Sequence, residues 1–277
     1  MRTFVLAVMI AAGVGTILAQ PVPSNVHPLH RPFDQLLDTY VRDGFVYYNA
    51  LRIERGRLDA YVAALNGAAA TALAQGTADE QKALWINAYN ALVLRTVIDH
   101  FPIRGRAKEY PSSSIRQIPG AFEKASHRVA GRVVSLDGIE KDILAPMGDA
   151  RVFLALGRGS YGGGRLRSEA FDGPTMEKLL TAVANETASR VELVAIDETA
   201  NTVSMSPLFS WREPVFVASL ADKAPAVFKQ RTGLERAVLA LVYDHVSTPE
   251  RLFLEKNTFK MVFHEYDWRL NDLSSRR

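Results

Sequence analysis

The chain has no cysteine in its 277 residues. That excludes disulfide crosslinks, thiolate nucleophiles, cysteine metal sites and anchoring through a lipidated cysteine. Export would permit disulfides, yet this fold must hold by packing alone. Histidine is scarce as well: of six, only His27 and His30 lie close together. Neither the number nor the spacing suits a ligand set, so no metal site and no cofactor are expected. An excess of one charge is missing too. The formal net charge is +3, too mild to point to nucleic acid or an anionic membrane as partner. Past residue 18 no apolar run reaches the ~20 residues of a spanning helix, so no integral membrane segment is expected in the mature chain. No internal repeat is visible.

What is present starts at the N-terminus. Arg2 supplies a positive charge, and residues 4–18 form an apolar run broken only by Gly13, Gly15 and Thr16. Ala19 then precedes Gln20 and Pro21, a small residue before a turn-former. The pattern is that of a cleavable signal peptide over residues 1–19. A membrane anchor is the competing reading, but the run is short for one and no basic stop-transfer cluster follows. Export to the periplasm or the extracellular medium is therefore expected. Residues 20–29 hold three prolines and no apolar period, and read as a linker. Residues 30–277 read as a single domain, with hydrophobic content of 48% adequate for a core.

Along that domain Pro32 opens a helix with Phe33, Leu36, Leu37, Tyr40 and Val41 on one stripe, ended by Gly44. A second helix is expected over residues 53–65. Thr77-Ala-Asp-Glu80 is a capping box for a core helix that Pro102 stops. Residues 103–120 read as a long loop. A hairpin turning at Ala130-Gly131 follows, and Ser135 then caps a short helix. Residues 151–156 read as a buried strand leading into a glycine-rich loop, residues 157–164. Pro174 opens another helix, and residues 191–205 form a hairpin. Helices are expected at 212–220, 222–230 and 233–246, and a strand at 260–264. This order argues for an α+β fold: a mainly helical single domain with a small, mostly antiparallel sheet.

Several side chains could carry chemistry. Ser160 in the glycine loop is the candidate nucleophile, although its neighbours lack the G-x-S-x-G elbow. Lys141 or a histidine from elsewhere would have to act as its base. Gly157, Gly159 and Gly162 match a dinucleotide fingerprint on paper, but no helix begins on the third glycine. Asn87 and Asn90 share one face of the core helix. Asparagine is a poor helix former, so the pair implies fixed hydrogen bonds, either to a neighbouring loop or to a ligand. Asp137 and Glu140 read first as first-turn acids that complement a helix dipole. With Arg167, these four residues form a candidate polar cluster, structural or ligand-binding.

Motifs in one order resemble the domain-of-unknown-function 547 family of bacterial envelope proteins and plants. They are Phe33-Asp-Gln-Leu-Leu37 with Tyr40-Val41, Gly44 and Tyr48, then Leu84-Trp-Ile-Asn-Ala-Tyr-Asn-Ala-Leu92. Val129-Ala-Gly-Arg132, Ser135-Leu-Asp-Gly-Ile-Glu140, Ser206-Pro-Leu-Phe-Ser-Trp211 and Tyr266-Asp-Trp-Arg-Leu-Asn271 follow. Against the pattern common in bacterial members, two cysteine positions are Arg158 and Gly163. Two histidine positions are Phe153 and Lys141, and a proline position is Gly164. The resemblance implies an intact frame without the family's most reactive side chains. The expected function is that of an exported, soluble, non-catalytic protein, which binds an envelope protein or a small ligand through the glycine loop and its surroundings. An exported hydrolase using Ser160, or nucleotide binding at residues 157–164, are the alternatives. Intact-mass analysis of the secreted protein is expected to find Gln20 as its first residue; a retained residue 1 in the membrane fraction would make the segment an anchor.

Overall fold

The computed structural model describes residues 26–275, so the signal peptide expected at residues 1–19 lies outside the described residues. Helix α1, Arg31–Tyr40, has Pro32 in its first turn and buries Phe33, Leu36, Leu37 and Tyr40. It stops before a tight hairpin of β1, Val41–Arg42, and β2, Phe45–Val46. Gly44 therefore sits in the hairpin turn and not at the end of the helix. Asp43 and Gly44 both take left-handed backbone angles, φ 52° and 81°, as the commonest two-residue hairpin turns require. The second expected helix is two: α2, Tyr48–Ile53, and α3, Gly56–Ala64. The short helix α4, Ala68–Ala74, leads to the centre of the molecule.

That centre is α5, Ala78–His100, which starts on the expected capping box: Glu80 accepts from the Thr77 amide at 2.8 Å. From Ala83 to Leu94 every residue of α5 is buried. A helix buried all round must satisfy each polar side chain it carries. Around it lie the hairpin of β3, His127–Val129, and β4, Arg132–Val134, which turns at Ala130-Gly131 as expected. Ser135 caps α6, Leu136–Gly138, which widens into a π-helical stretch, Ile139–Leu144.

Residues 151–156 are not a strand. Ala150–Leu154 is a 3₁₀ helix, whose first turn is held by the Asp149 carboxylate accepting from the Arg151 amide at 3.2 Å. A short apolar run has no period that separates buried strand from buried helix, and here a local cap decides. Helix α7, Met176–Asn185, follows Pro174. Strands β5, Val194–Asp197, and β6, Thr202–Met205, form the expected hairpin. Strand β7, Lys260–Phe263, joins β6 in parallel, so the three-stranded sheet is mixed.

Helices α8, Leu208–Trp211, α9, Glu213–Leu220, and α10, Gly233–Val242, pack against one another. The helix expected at 222–230 is two single 3₁₀ turns, because Pro225 forces Ala224 into an extended conformation (ψ 142°). A further helix, α11, Thr248–Lys256, was legible in Ser247-x-x-Glu250, a capping box that the periodicity reading passes over. The result is a mainly helical α+β single domain around one hydrophobic core.

The segment entering α1 belongs to that core. Val26 and Leu29 rest against it, and His30 is 1% exposed. The His30 Nδ1 meets the Tyr61 hydroxyl at 2.8 Å, while its buried Nε2 has no partner among the described residues. Burial, aided by the nearby His27, lowers its pKa to about 4. Between pH 6.5 and about 4 the unfolded chain takes up a proton that the folded one refuses, so stability falls as pH falls through that window. The loss should approach about 3 kcal/mol. Burial lowers the His127 pKa too and adds in the same direction. Urea midpoints measured from pH 7.5 to 4 should show this slope, and His30→Gln should make it markedly shallower.

Candidate functional site

The two asparagines of α5 act as backbone clamps. The Asn87 amide donates to the Phe171 carbonyl at 2.8 Å, and its oxygen accepts from the Phe171 N–H at 2.9 Å. Asn90 does the same for the glycine loop. Its amide donates to the Ala155 carbonyl at 3.1 Å, and its oxygen accepts from the Gly157 amide at 2.8 Å. The structural half of the expectation for this pair is thus what the geometry displays.

The loop beyond is fixed by its own backbone. The Tyr161 and Gly162 amides donate to the Arg269 and Asp267 carbonyls at 3.0 and 2.9 Å. At Gly164 a Cβ would fall 2.1 Å from the Leu154 carbonyl oxygen, so only glycine allows this close approach. Three loop amides are spent on protein acceptors, and the next helical turn begins only at Gly173. A phosphate cradle needs free amides at a helix start.

Glu140, read from sequence as a first-turn acid, is 3% exposed and accepts three hydrogen bonds. Tyr89 of α5 donates to its Oε1 at 2.7 Å, and Arg158 and Arg212 donate to its Oε2 at 2.7 and 3.1 Å. Arg158 is 2% exposed and also donates to the Phe153 carbonyl. Burial works against its charge, but Glu140, Tyr89 and Tyr266 together outweigh this and raise its pKa. Arg212 donates to the Trp211 carbonyl at 2.7 Å, while its buried Nε has no partner among the described residues. Two guanidiniums thus share one carboxylate.

This group forms the floor of a pocket of about 310 Å³. Its apolar walls are Trp211, Trp268 and Phe122. The indole ring centres lie 5.9 Å apart, and their planes are nearly parallel, at 19°. Arg116 lies 5.2 Å from the Trp268 ring centre and pairs with Glu123 at 2.6 Å. Lys141 pairs with Asp137 at 2.6 Å across the rim. Four cationic side chains therefore face three carboxylates in this lining. Of the candidate polar cluster, Asp137 and Glu140 meet here, and Asn90 positions the loop that delivers Arg158. Arg167 is elsewhere, bonded to Glu169 at 2.6 Å and Glu186 at 2.9 Å.

Ser160 faces the other side of the loop. Its hydroxyl meets the Tyr266 hydroxyl at 2.9 Å. Burial pushes the Tyr266 pKa up to about 12, against the pull of Arg158 and the Ser160 bond, so this phenol stays protonated at neutral pH. Lys141, a base considered for Ser160, lines the Arg158 pocket, whereas Ser160 lines a different one. Sequence reasoning missed Arg116 and Arg212. Arg212 follows directly on the Ser206–Trp211 motif, but its partner Glu140 is 72 residues away.

Residues 73–186 match the family model described as protein of unknown function, DUF547. The resemblance therefore stands over the span that carries the α5 motif, Glu140 and the glycine loop. No curated protein and no solved structure matches the chain. Arg158 and Lys141, which stand where the resemblance implies a cysteine and a histidine, line the same pocket.

Removing one partner from a buried ion pair leaves a charge uncompensated and costs about 3–5 kcal/mol. Glu140→Ala and Arg158→Ala should each destabilise by about that much. The double variant should cost about 2 kcal/mol less than their sum. Urea unfolding of the four proteins of this cycle measures it.

Proposed function

We propose that this is an exported, non-catalytic protein of the envelope, which binds a small anionic ligand in the Arg158 pocket. The observation that carries the reading is the pair of guanidiniums sharing a single buried carboxylate beneath two parallel indoles. Such a floor favours an incoming carboxylate or phosphate, because one positive charge lacks a counterpart. The walls favour a flat or apolar body, which can stack on Trp211 and Trp268. A volume of about 310 Å³ suits a small molecule. The chemistry at Arg158 and Lys141 supports binding without turnover. Neither a guanidinium nor an ammonium paired to Asp137 replaces a thiol–imidazole couple as nucleophile and base.

The reading is tested with benzoate-like carboxylates and aryl phosphates, followed by tryptophan fluorescence and calorimetry. Affinity should fall as salt is raised. Arg212→Leu, which leaves Glu140 its bond to Arg158, should weaken binding by about 10- to 100-fold, and Trp211→Ala should weaken it as well. Failure of every anion to bind at millimolar concentration would overturn the proposal. So would hydrolysis of ester, thioester or peptide substrates by the mature protein that Ser160→Ala abolishes.

A further inference from the structure

Behind the glycine loop lies a second pocket, of about 320 Å³, that the proposed function does not use. The β1–β2 turn, the loop at Ser160 and Tyr161, and residues 186–192 enclose it. Phe45 and Tyr161 give it an aromatic corner, their rings edge-on at 4.8 Å.

Its charged groups are unevenly satisfied. Arg165 is held by Asp43 at 3.1 Å and by Glu186 at 3.4 Å. Arg190 is held poorly. Its Nη2 donates to the Tyr161 carbonyl at 3.3 Å, and its Nε lies 3.8 Å from Glu192. Its Nη1 is buried with no acceptor among the described residues. A guanidinium N–H left unbonded is costly, and an anionic oxygen is the partner that repays it best. The side chain keeps 20% of its surface exposed and lines the pocket. Beside it Glu192 keeps 36% of its side chain exposed, whereas Glu186 is already held by Arg165 at 3.4 Å and Arg167 at 2.9 Å. Glu192 would take a cationic or hydrogen-bond-donating group on the same ligand.

A wall that offers an unsatisfied cation next to an accessible carboxylate matches a molecule carrying both signs a few bonds apart. We propose that this pocket binds an amino-acid zwitterion, with its carboxylate on Arg190 and its ammonium on Glu192. A free amino acid and the end of a short peptide share that chemistry. In a free amino acid the two charges sit on one carbon, whereas in a dipeptide a peptide unit separates them.

The test is calorimetry of the mature protein with free amino acids, dipeptides, N-acetyl amino acids and amino-acid amides. Binding of free amino acids with weak binding of dipeptides assigns the first source, and the reverse assigns the second. In either case both the N-acetylated and the amidated forms should bind about tenfold more weakly or worse. Arg190→Met should abolish binding. Should that variant not fold, Glu192→Gln serves instead: it should weaken the zwitterion but leave the N-acetyl compound unchanged. Trp211→Ala, in the other pocket, should change neither, which keeps the two proposals separable. The assignment is overturned if no zwitterion binds at millimolar concentration, if blocking either end has no effect, or if Glu192→Gln leaves zwitterion binding unchanged.

Discussion

Helix α5 is buried along three consecutive turns on every side, and this confinement governs the rest of the fold. A helix in that position has no solvent face on which to leave a polar side chain. Each polar group it carries must find a bond inside the protein or cost stability. Asn87, Tyr89 and Asn90 do so in three directions. They tie down the Phe171 backbone, the Glu140 carboxylate and the two ends of the turn that enters the glycine loop. The irregular segments around α5 are thereby placed by hydrogen bonds from the one element least able to move.

The glycine loop owes its shape to the same arrangement. It is a wall between two pockets, with Arg158 on one side and Ser160 on the other, and Tyr266 bonded to it from behind. Its glycines allow backbone to lie against backbone, as at Gly164 and Leu154. A wall packed in this way can exchange side chains on either face without changing course. That explains how a frame resembling DUF547 tolerates a bulky guanidinium at Arg158. Glu140, already bonded to Tyr89, offers that guanidinium a counter-charge in the interior.

Local signals in the sequence were legible wherever the cause was itself local. The Thr77 capping box, the Ala130-Gly131 turn and the Pro174 helix start all stand where short-range chemistry puts them. The strand expected at 151–156 failed because an apolar run that short has no period, and a cap at Asp149 settled it. Glu140 shows the limit for the site. Its place near a helix start suggests a dipole role, but its partners come from positions 89, 158 and 212. Nothing in the residues next to it announces a buried carboxylate. The asparagines were the better guide, because a poor helix former inside an apolar helix already implies a bonding obligation. Arg116 and Arg212 gave no such sign, since an arginine in a loop or before a helix is usually a surface residue.

The floor of the Arg158 pocket has one further consequence. Guanidinium, ammonium and carboxylate groups do not climb the oxidation ladder that ends in sulfinic and sulfonic acids, and they hold soft metal ions poorly. A pocket with a thiol at position 158 and an imidazole at 141 would be open to poisoning by peroxide or by stray copper and zinc. With Arg158 and Lys141 in those places, its recognition groups are indifferent to both. Whatever the pocket holds, its charged floor keeps the same chemistry in a reducing or an oxidising medium.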